Sequence, residues 1–492
     1  MIPNTVITIG TSAFEGCSAL NSVIMGAAVV SIGNSGFKGC SALGTIVLPE
    51  NLHAIGEQAF MNTGLTSITL PDAVTSIGNS TFEDCSSLAS VAFGASMTRI
   101  GSRAFKMCNA LESIEIPDRV TTIGDEAFMS TSISSIVIPD AVTSMGRYTF
   151  YDCKSLSSVA LGPSLSGIGA NAFGLCESLK SIEIPNNIVS IGDEAFRSSG
   201  LTSIEIPNSV TTMGMGVLAD NAALKHVKLG HGLKMIPSHA FASCRNLTKV
   251  ELGDQVETIG GTAFYYCTSL DSISIPKTVS TIGAHAFYYC QKLTHVFISD
   301  LTSWCSIYFA NYTAVPFQTQ SHLYLDGQEV INCVLPEGVT RLNNYAFYNC
   351  AYIQSLKLPS TVSWIDREAF GRCTSLSRVI CKAQNPPTTV NQTCFSYDTY
   401  NSALLIVPEA SMAKYGTSGC WSHFSTLESL ESYLRNGDVN FDHETTVADI
   451  NMIVNAIITG QTDSDLDVNG DREVTVSDIN AIIEMILHPH NR

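Results

Sequence analysis

Ile100-Gly-Ser-Arg-Ala-Phe105-Lys-Met-Cys108-Asn-Ala-Leu111-Glu-Ser-Ile114-Glu-Ile116-Pro117-Asp-Arg-Val120 is one unit of a pattern that the chain writes 15 times. Leu111, Ile114 and Ile116 alternate as a short strand with one buried face, and Pro117 stops that strand. Ile123 and Phe128 then send apolar side chains back inward. A unit this small cannot bury them alone. It must stack on copies of itself, each strand pairing in parallel with the next.

The Phe105 slot recurs at Phe14, Phe37, Phe60, Phe82, Phe128, Phe150, Phe173 and Phe196, always 22 or 23 residues on. It continues at Leu218, Phe241, Phe264, Phe287, Phe347 and Phe370, the signature of a repeat protein. Phe14, Phe82, Phe150 and Leu218 lie 68 residues apart, and the third member of each of the first three triplets replaces Cys by Thr63, Thr131 or Ser199. The array grew by duplicating blocks of three units.

Units reading I-G-x-x-A-F-x-x-C-x-x-L resemble the BspA-like class of bacterial leucine-rich-repeat proteins, from the first residues to about Leu430. The resemblance implies a leucine-rich-repeat solenoid of short parallel strands, one per 22–23-residue coil. It divides the chain into regular repeats over 1–298, an irregular insertion coil over 299–340 with a hairpin turn at Leu325-Asp326-Gly327, further repeats over 341–381, and a closing segment over 382–432. It also implies an adhesion or recognition role at the cell surface or in secreted form. Ile2 to Ala13 has neither the basic start nor the apolar run of a signal peptide. Because the chain opens in mid-repeat, an upstream portion is expected.

Eleven of the 16 cysteines share one repeat slot: Cys17, Cys40, Cys85, Cys108, Cys153, Cys176, Cys244, Cys267, Cys290, Cys350 and Cys373. A slot that also accepts Thr and Ser reads as a small, weakly polar lining of a buried turn, not as a disulfide or metal ladder. Cys305, Cys333, Cys381, Cys394 and Cys420 fall in irregular parts, and their pairing is open.

The net charge of −18, without any Lys/Arg stripe, argues against nucleic acid. No apolar run of ~18 residues is present to span a membrane. From Gly437 to Arg492 there are 11 acidic residues against 2 basic ones, half of the net charge in 56 residues, which marks 437–492 as a separate domain. Asp438, Asn440, Asp442, Glu444 and Asp449 repeat as Asp467, Asn469, Asp471, Glu473 and Asp478. Oxygens at loop positions 1, 3, 5 and 12, with a backbone carbonyl at 7, suit Ca²⁺, so two ions are expected. Each loop is followed by a helical apolar stripe, Ile450, Ile453, Val454, Ile457 and Ile458 in one and Ile479, Ile482, Ile483, Ile486 and Leu487 in the other. Folding of this segment should therefore be coupled to calcium.

This segment resembles a type I dockerin, a small all-α domain of two loop-helix units. The resemblance implies docking to a cohesin-type domain through loop positions 10 and 11, here Val447-Ala448 and Val476-Ser477. Cellulosomal dockerins often carry Ser-Thr at that pair. Position 6, commonly Gly, is His443 or Arg472, a departure expected to weaken calcium affinity.

On the strand row, Ser67, Ser90, Ser113, Ser135, Ser158, Ser181 and Ser203 form one outward column and Thr69, Ala92, Glu115, Val137, Ala160, Glu183 and Glu205 the next. Glu115, Glu183, Glu205 and Glu251 form a conceivable glycosidase pair, but nothing in the pattern raises a pKa. Without a P-loop, a nucleophile elbow or a metal-spaced His cluster, the chain reads as a non-enzyme. Tyr265, Tyr266, Tyr288 and Tyr289 stand as ligand-facing aromatics for stacking on sugars, against the plainer reading that Tyr is common at that slot. The expected partners are a host or bacterial surface protein or glycan for the solenoid and a cohesin-like domain for the tail. The competing reading is an accessory glycan-binding component of a polysaccharide-degrading complex.

Overall fold

The computed structural model describes residues 1–318, 321–390, 393–440, 444–460, 464–471 and 473–488. They form two compact units, Met1–Leu293 and Thr294–Arg492.

In the first unit the coils stack in parallel as anticipated, Ser67–Thr69 beside Ser90–Ala92 and Ser135–Val137 beside Ser158–Ala160. Expecting one strand per coil undercounts the fold. Most coils contribute a second, two-residue strand, and Ser76–Ile77, Arg99–Ile100, Thr122–Ile123 and Ser144–Met145 form one parallel four-stranded ladder. A strand of two residues has no alternation to read, so the sequence shows only the inward Ile of each pair, such as Ile123. Gly101 follows this strand because the coil below lies too close for a side chain: a Cβ would meet the Gly78 carbonyl carbon at 2.6 Å.

A third link between coils surrounds the Phe slot. The amides of Ser80, Phe82 and Asp84 donate to Ser102, Ala104 and Lys106 of the next coil at 2.8–2.9 Å. Ser80 and Asp84 have φ of 56° and 61°, and the equivalent pair is left-handed in coil after coil, even where it is Arg103 and Met107. A left-handed residue costs roughly 1–2 kcal/mol. The alternation turns every second amide toward the next coil, which offsets that cost. The Phe rings between these residues stack face to face, Phe82 on Phe105 at 5.4 Å and Phe105 on Phe128 at 5.6 Å, fully buried.

The cysteine slot is a hydrogen-bond donor. Cys108 Sγ lies 3.1 Å from the Phe82 carbonyl oxygen and Cys267 Sγ 3.1 Å from that of Phe241. Thr63 and Thr131 instead donate to Phe60 and Phe128 of their own coils at 2.9 Å. Asn221 reaches both kinds of acceptor, Phe196 at 2.7 Å and Leu218 at 2.8 Å. The ladder cysteines are free thiols, and burial pushes the enclosed ones up, Cys153 to about 11 and Cys244 to about 12.

In the second unit, Asn332–Val334, Ser355–Leu358, Arg378–Cys381, Leu404–Val407 and Thr426–Ser429 form a five-stranded parallel sheet. His322–Leu325 turns back through Asp326-Gly327 to pair antiparallel with Gln328–Glu329. The helix Leu301–Ser306, capped by Asp300, buries Trp304 and Cys305. Toward the end of the sheet, Phe395 stacks on Phe370 at 5.3 Å and its amide donates to the Tyr400 hydroxyl at 3.3 Å. A side chain there takes the place of a following coil. Cys394 and Cys420 are disulfide-bonded, whereas Cys305, Cys333 and Cys381 are free.

The helices Val447–Thr459 and Val476–Leu487 are each opened by a reciprocal cap, Thr446 with Asp449 and Thr475 with Asp478. Val439, Ile453, Ala456, Leu466, Val468 and Ile482 form their shared core. The expected stripes are wider than this core, for Ile457, Ile458 and Leu487 are exposed.

If the slot requires a donor, Cys108→Val loses the bond to Phe82 and costs about 1 kcal/mol, while Cys108→Thr, donating as Thr63 does, costs less. Chemical denaturation of the full chain compares the two, and equal stabilities refute the donor role.

Candidate binding surfaces and a candidate cation site

Every residue of the two outward columns, from Ser67 to Ser203 and from Thr69 to Glu205, is exposed. Ile68, Ile136 and Ile204 between them are buried. Two of the four carboxylates named on this face are paired, Glu205 with Lys228 and Glu251 with Lys249, both at 2.5 Å. The Lys249 bond holds Glu251 below the usual carboxylate range. A glycosidase acid needs the opposite shift.

The second unit has a strand face of different character. His295–Ile298 pairs with His322–Leu325, setting His295 opposite His322 and Phe297 opposite Tyr324. Phe297 stacks on Tyr324 at 5.0 Å, and His322 lies flat on Tyr352 at 3.7 Å while bonding Glu329 of the hairpin. None of these five rings is fully buried. An aromatic platform thus occupies strand positions that in the first unit hold mostly Ser, Thr, Ala, Val, Glu and Lys. Reading the columns on through His295-Val-Phe-Ile298 and His322-Leu-Tyr-Leu325 would have located it.

Tyr265, Tyr266, Tyr288 and Tyr289 do come together. Tyr266 stacks on Tyr289 at 4.4 Å, and Tyr265 meets Tyr266 edge-on at 4.7 Å. They lie on the turn side of the coils rather than on the strand face.

In the C-terminal loops the carboxylate at position 12 is a buried hub. Asp478 accepts from the amides of Val468 (2.9 Å), Asn469 (3.2 Å) and Thr475 (2.8 Å), and Asp449 accepts likewise from Val439, Asn440 and Thr446 at 2.8–3.0 Å. Asp467 accepts from Gly470 and Asp471, Asn469 from Asp471, and Asp471 from Glu473, whose amide lowers the Asp471 pKa. Asp442 lies outside the described residues, as do His443 and Arg472. Among the described residues no three His, Cys, Asp or Glu side chains lie close enough to hold one ion. The set named from the sequence also draws on Asn440, Asn469 and the carbonyls of Glu444 and Glu473. Its all-oxygen, acidic chemistry fits a hard divalent cation.

Two acids of this segment have other partners. Asp438 accepts from the Tyr433 hydroxyl at 2.7 Å and lies 3.8 Å from the fully buried Arg378, whose guanidinium covers the Tyr433 ring at 5.6 Å. Asp465, also buried, is gripped by Lys357 and by Lys382 at 2.7 Å. The strand Arg378–Cys381 is consequently buried on both faces, with Ile380 packed against Leu430, Tyr433 and Leu434. Val447, Ala448, Val476 and Ser477 remain exposed.

Stacked parallel coils with apolar strand positions inward define a leucine-rich-repeat solenoid. The BspA type leucine-rich-repeat region matches residues 7–132, 75–201, 121–248, 189–316 and 318–431. The chain belongs to this family. Among solved structures it is similar to a leucine-rich cell surface protein of Faecalibacterium prausnitzii, with 27% identity over 62% of this chain and 80% of the other and a TM-score of 0.39. It is also similar to a leucine-rich repeat protein of Bacteroides ovatus (24% identity, 74% and 87% covered, TM-score 0.40) and to the pneumococcal vaccine antigen PcpA (20% identity, 86% and 84% covered, TM-score 0.35). No curated protein matches it. Among the described residues no helix is long and apolar enough to cross a membrane.

Asp465→Ala removes the buried carboxylate that bridges Lys357 and Lys382, a change expected to be destabilising by up to about 3–5 kcal/mol. Hydrogen exchange should rise in the helix Leu430–Leu434 and in the strand Arg378–Cys381 while remaining unchanged in coils before Leu293. Unaltered exchange at Arg378–Cys381 would show that Asp465 is not what holds the segment there.

Proposed function

We propose that this chain is a non-catalytic extracellular recognition or adhesion protein whose coils bind a macromolecular partner through the strand face. The aromatic platform of His295, Phe297, His322, Tyr324 and Tyr352 carries this reading. Partly exposed aromatic rings, clustered on a face that otherwise carries few of them, are the usual composition of an interface centre. Because the rings are held by parallel strands and by one another, little side-chain entropy is lost when a partner covers them.

The C-terminal segment, in the same proposal, is a dockerin-like module that attaches the chain to a cohesin-type scaffold. Two observations support a docking role. Val447, Asn451, Val454 and Ile458 lie along one helix face, and Val476, Asn480, Ile483 and Leu487 along the equivalent face of the other, all at least partly exposed. The grips on Asp438 and Asp465 also leave these faces uncovered. Calcium would be held by Asp467, Asn469, Asp471, Asp478 and the Glu473 carbonyl in one loop, and by Asp438, Asn440, Asp442, Asp449 and the Glu444 carbonyl in the other. It would supply the positive charge that lets these acids lie together.

A second reading, an accessory glycan-binding component of a polysaccharide-degrading complex, is favoured by the tyrosine cluster on the turn side.

Phe297→Ala with Tyr324→Ala is expected to lower binding to host matrix or bacterial surface proteins at least about tenfold, since interface aromatics often contribute ~2 kcal/mol or more each. A fold held by other contacts should keep its melting temperature. Retention of affinity in a surface-plasmon measurement removes the platform from the interface. Chelation should unfold 437–492 and leave the coils intact; a calorimetric trace identical with and without calcium would end the metal assignment.

A further inference from the structure

On the turn side of the first unit lies a cleft of about 600 Å³ that opens where two columns of side chains shrink together. The position two residues before the Phe slot is Glu194 in one coil and His239 in the next but one, with Gly216 between them. The position just after the slot is Arg197 and Tyr265 on the flanks, with Ala219 and Ala242 between. One wall presents ring faces, Tyr265 and Tyr288 at 6.1 Å with His285 beside Tyr288 at 5.6 Å. The opposite wall is ionic, Arg197 bridging Glu194 at 3.1 Å and Asp220 at 3.0 Å.

The second unit builds a cleft of about 690 Å³ from different residues to the same plan. Gly371 stands just after its Phe slot, Tyr348 and Tyr400 supply rings, His423 an imidazole, and Glu368 and Arg372 the charges. Arg372 lies over the Tyr348 ring at 5.7 Å.

We propose that both clefts bind neutral sugar units of a glycan. This rests on the glycan reading above and gives it a site. An anionic ligand would meet Glu194 and Asp220, with Arg197 already committed to both. A cationic ligand would have to compete with Arg197, which already bridges both carboxylates of one cleft, and with Arg372, which covers a ring face of the other. A wholly apolar ligand would strip water from the ionic wall without replacing its hydrogen bonds. A ring with one C–H face and an edge of hydroxyls satisfies both walls at once.

The test is calorimetric titration of the full chain with neutral tetrasaccharides of glucose, mannose and galactose, beside a galacturonate tetramer and oligolysine. Gly216→Glu fills the first cleft with the residue that the preceding coil carries there at φ 54°, and Gly371→Arg fills the second with the residue found at Arg197. A neutral sugar should bind at two sites per chain, and Gly216→Glu should halve the stoichiometry with an unchanged melting temperature. The double variant, in which the Tyr348 ring must swing away from a Cβ that would meet it at 2.8 Å, should lose affinity about tenfold or more while the coils before Leu293 keep the melting transition of the single variant. Neutral-sugar binding that survives the double variant overturns the clefts while leaving the glycan reading standing. Binding of only galacturonate or oligolysine, or of no saccharide, overturns both.

Discussion

The amide of a left-handed residue beside each Phe, reaching a carbonyl of the next coil, is the contact that keeps successive coils in step. It fixes coil height and direction at the point where the chain turns. Phe rings carried by such a backbone have no choice but to lie face to face, as Phe37, Phe60 and Phe82 do at 5.5 Å. The strain in two left-handed residues per coil is tolerable only inside a stack, since a lone coil would bear the cost with no partner for its amides. Cooperativity between neighbours is therefore built into the main chain, and the thiol and hydroxyl donors at the cysteine slot reinforce it.

A scaffold held by main-chain bonds leaves its outward columns free to vary. Ser67, Glu205 and Phe297 occupy related outward positions on strands of the same kind, yet one is inert, one ion-paired and one part of an aromatic platform. The same freedom works by subtraction on the turn side. Gly216 removes a side chain from a column that the other coils fill, Gly371 leaves space beside Tyr348 at the position where Arg197 and Tyr265 stand in other coils, and a cleft follows at each. A left-handed Gly216 at φ 63° merely repeats what Glu194 and His239 do at 54° and 61°.

What could be read from the residues alone was the inward face. Leu, Ile and Phe recur at fixed offsets because burial tolerates few alternatives, so stacked parallel coils and exposed columns were legible. The second strand was not, because two residues carry no period. Nor were the left-handed turns, since Arg103, Met107 and Leu175 lack the Gly or Asn chemistry that usually announces them. The clefts escaped for a related reason: they consist of side chains that are missing, and an absence at Ala219 or Ala242 gains meaning only once the flanking coils are set beside it.

The acidic tail shows the limit of reading charge as ligand. Asp465 belongs to neither loop, and its partners Lys357 and Lys382 are far away in sequence. Asp438 does stand at a loop's first position, but it also answers Arg378 and Tyr433. A buried guanidinium gains from a nearby carboxylate, so Asp438 has a structural role beside Arg378 whether or not the loop holds a cation. The excess of acid in 437–492 thus serves two ends: it stocks the loops with oxygen, and it neutralises the basic outward positions of the strands Ser355–Leu358 and Arg378–Cys381. Because those strands receive the segment on the side bearing Asp438 and Asp465, the duplicated faces beginning at Val447 and Val476 stay open to solvent, where a partner outside the chain can reach them.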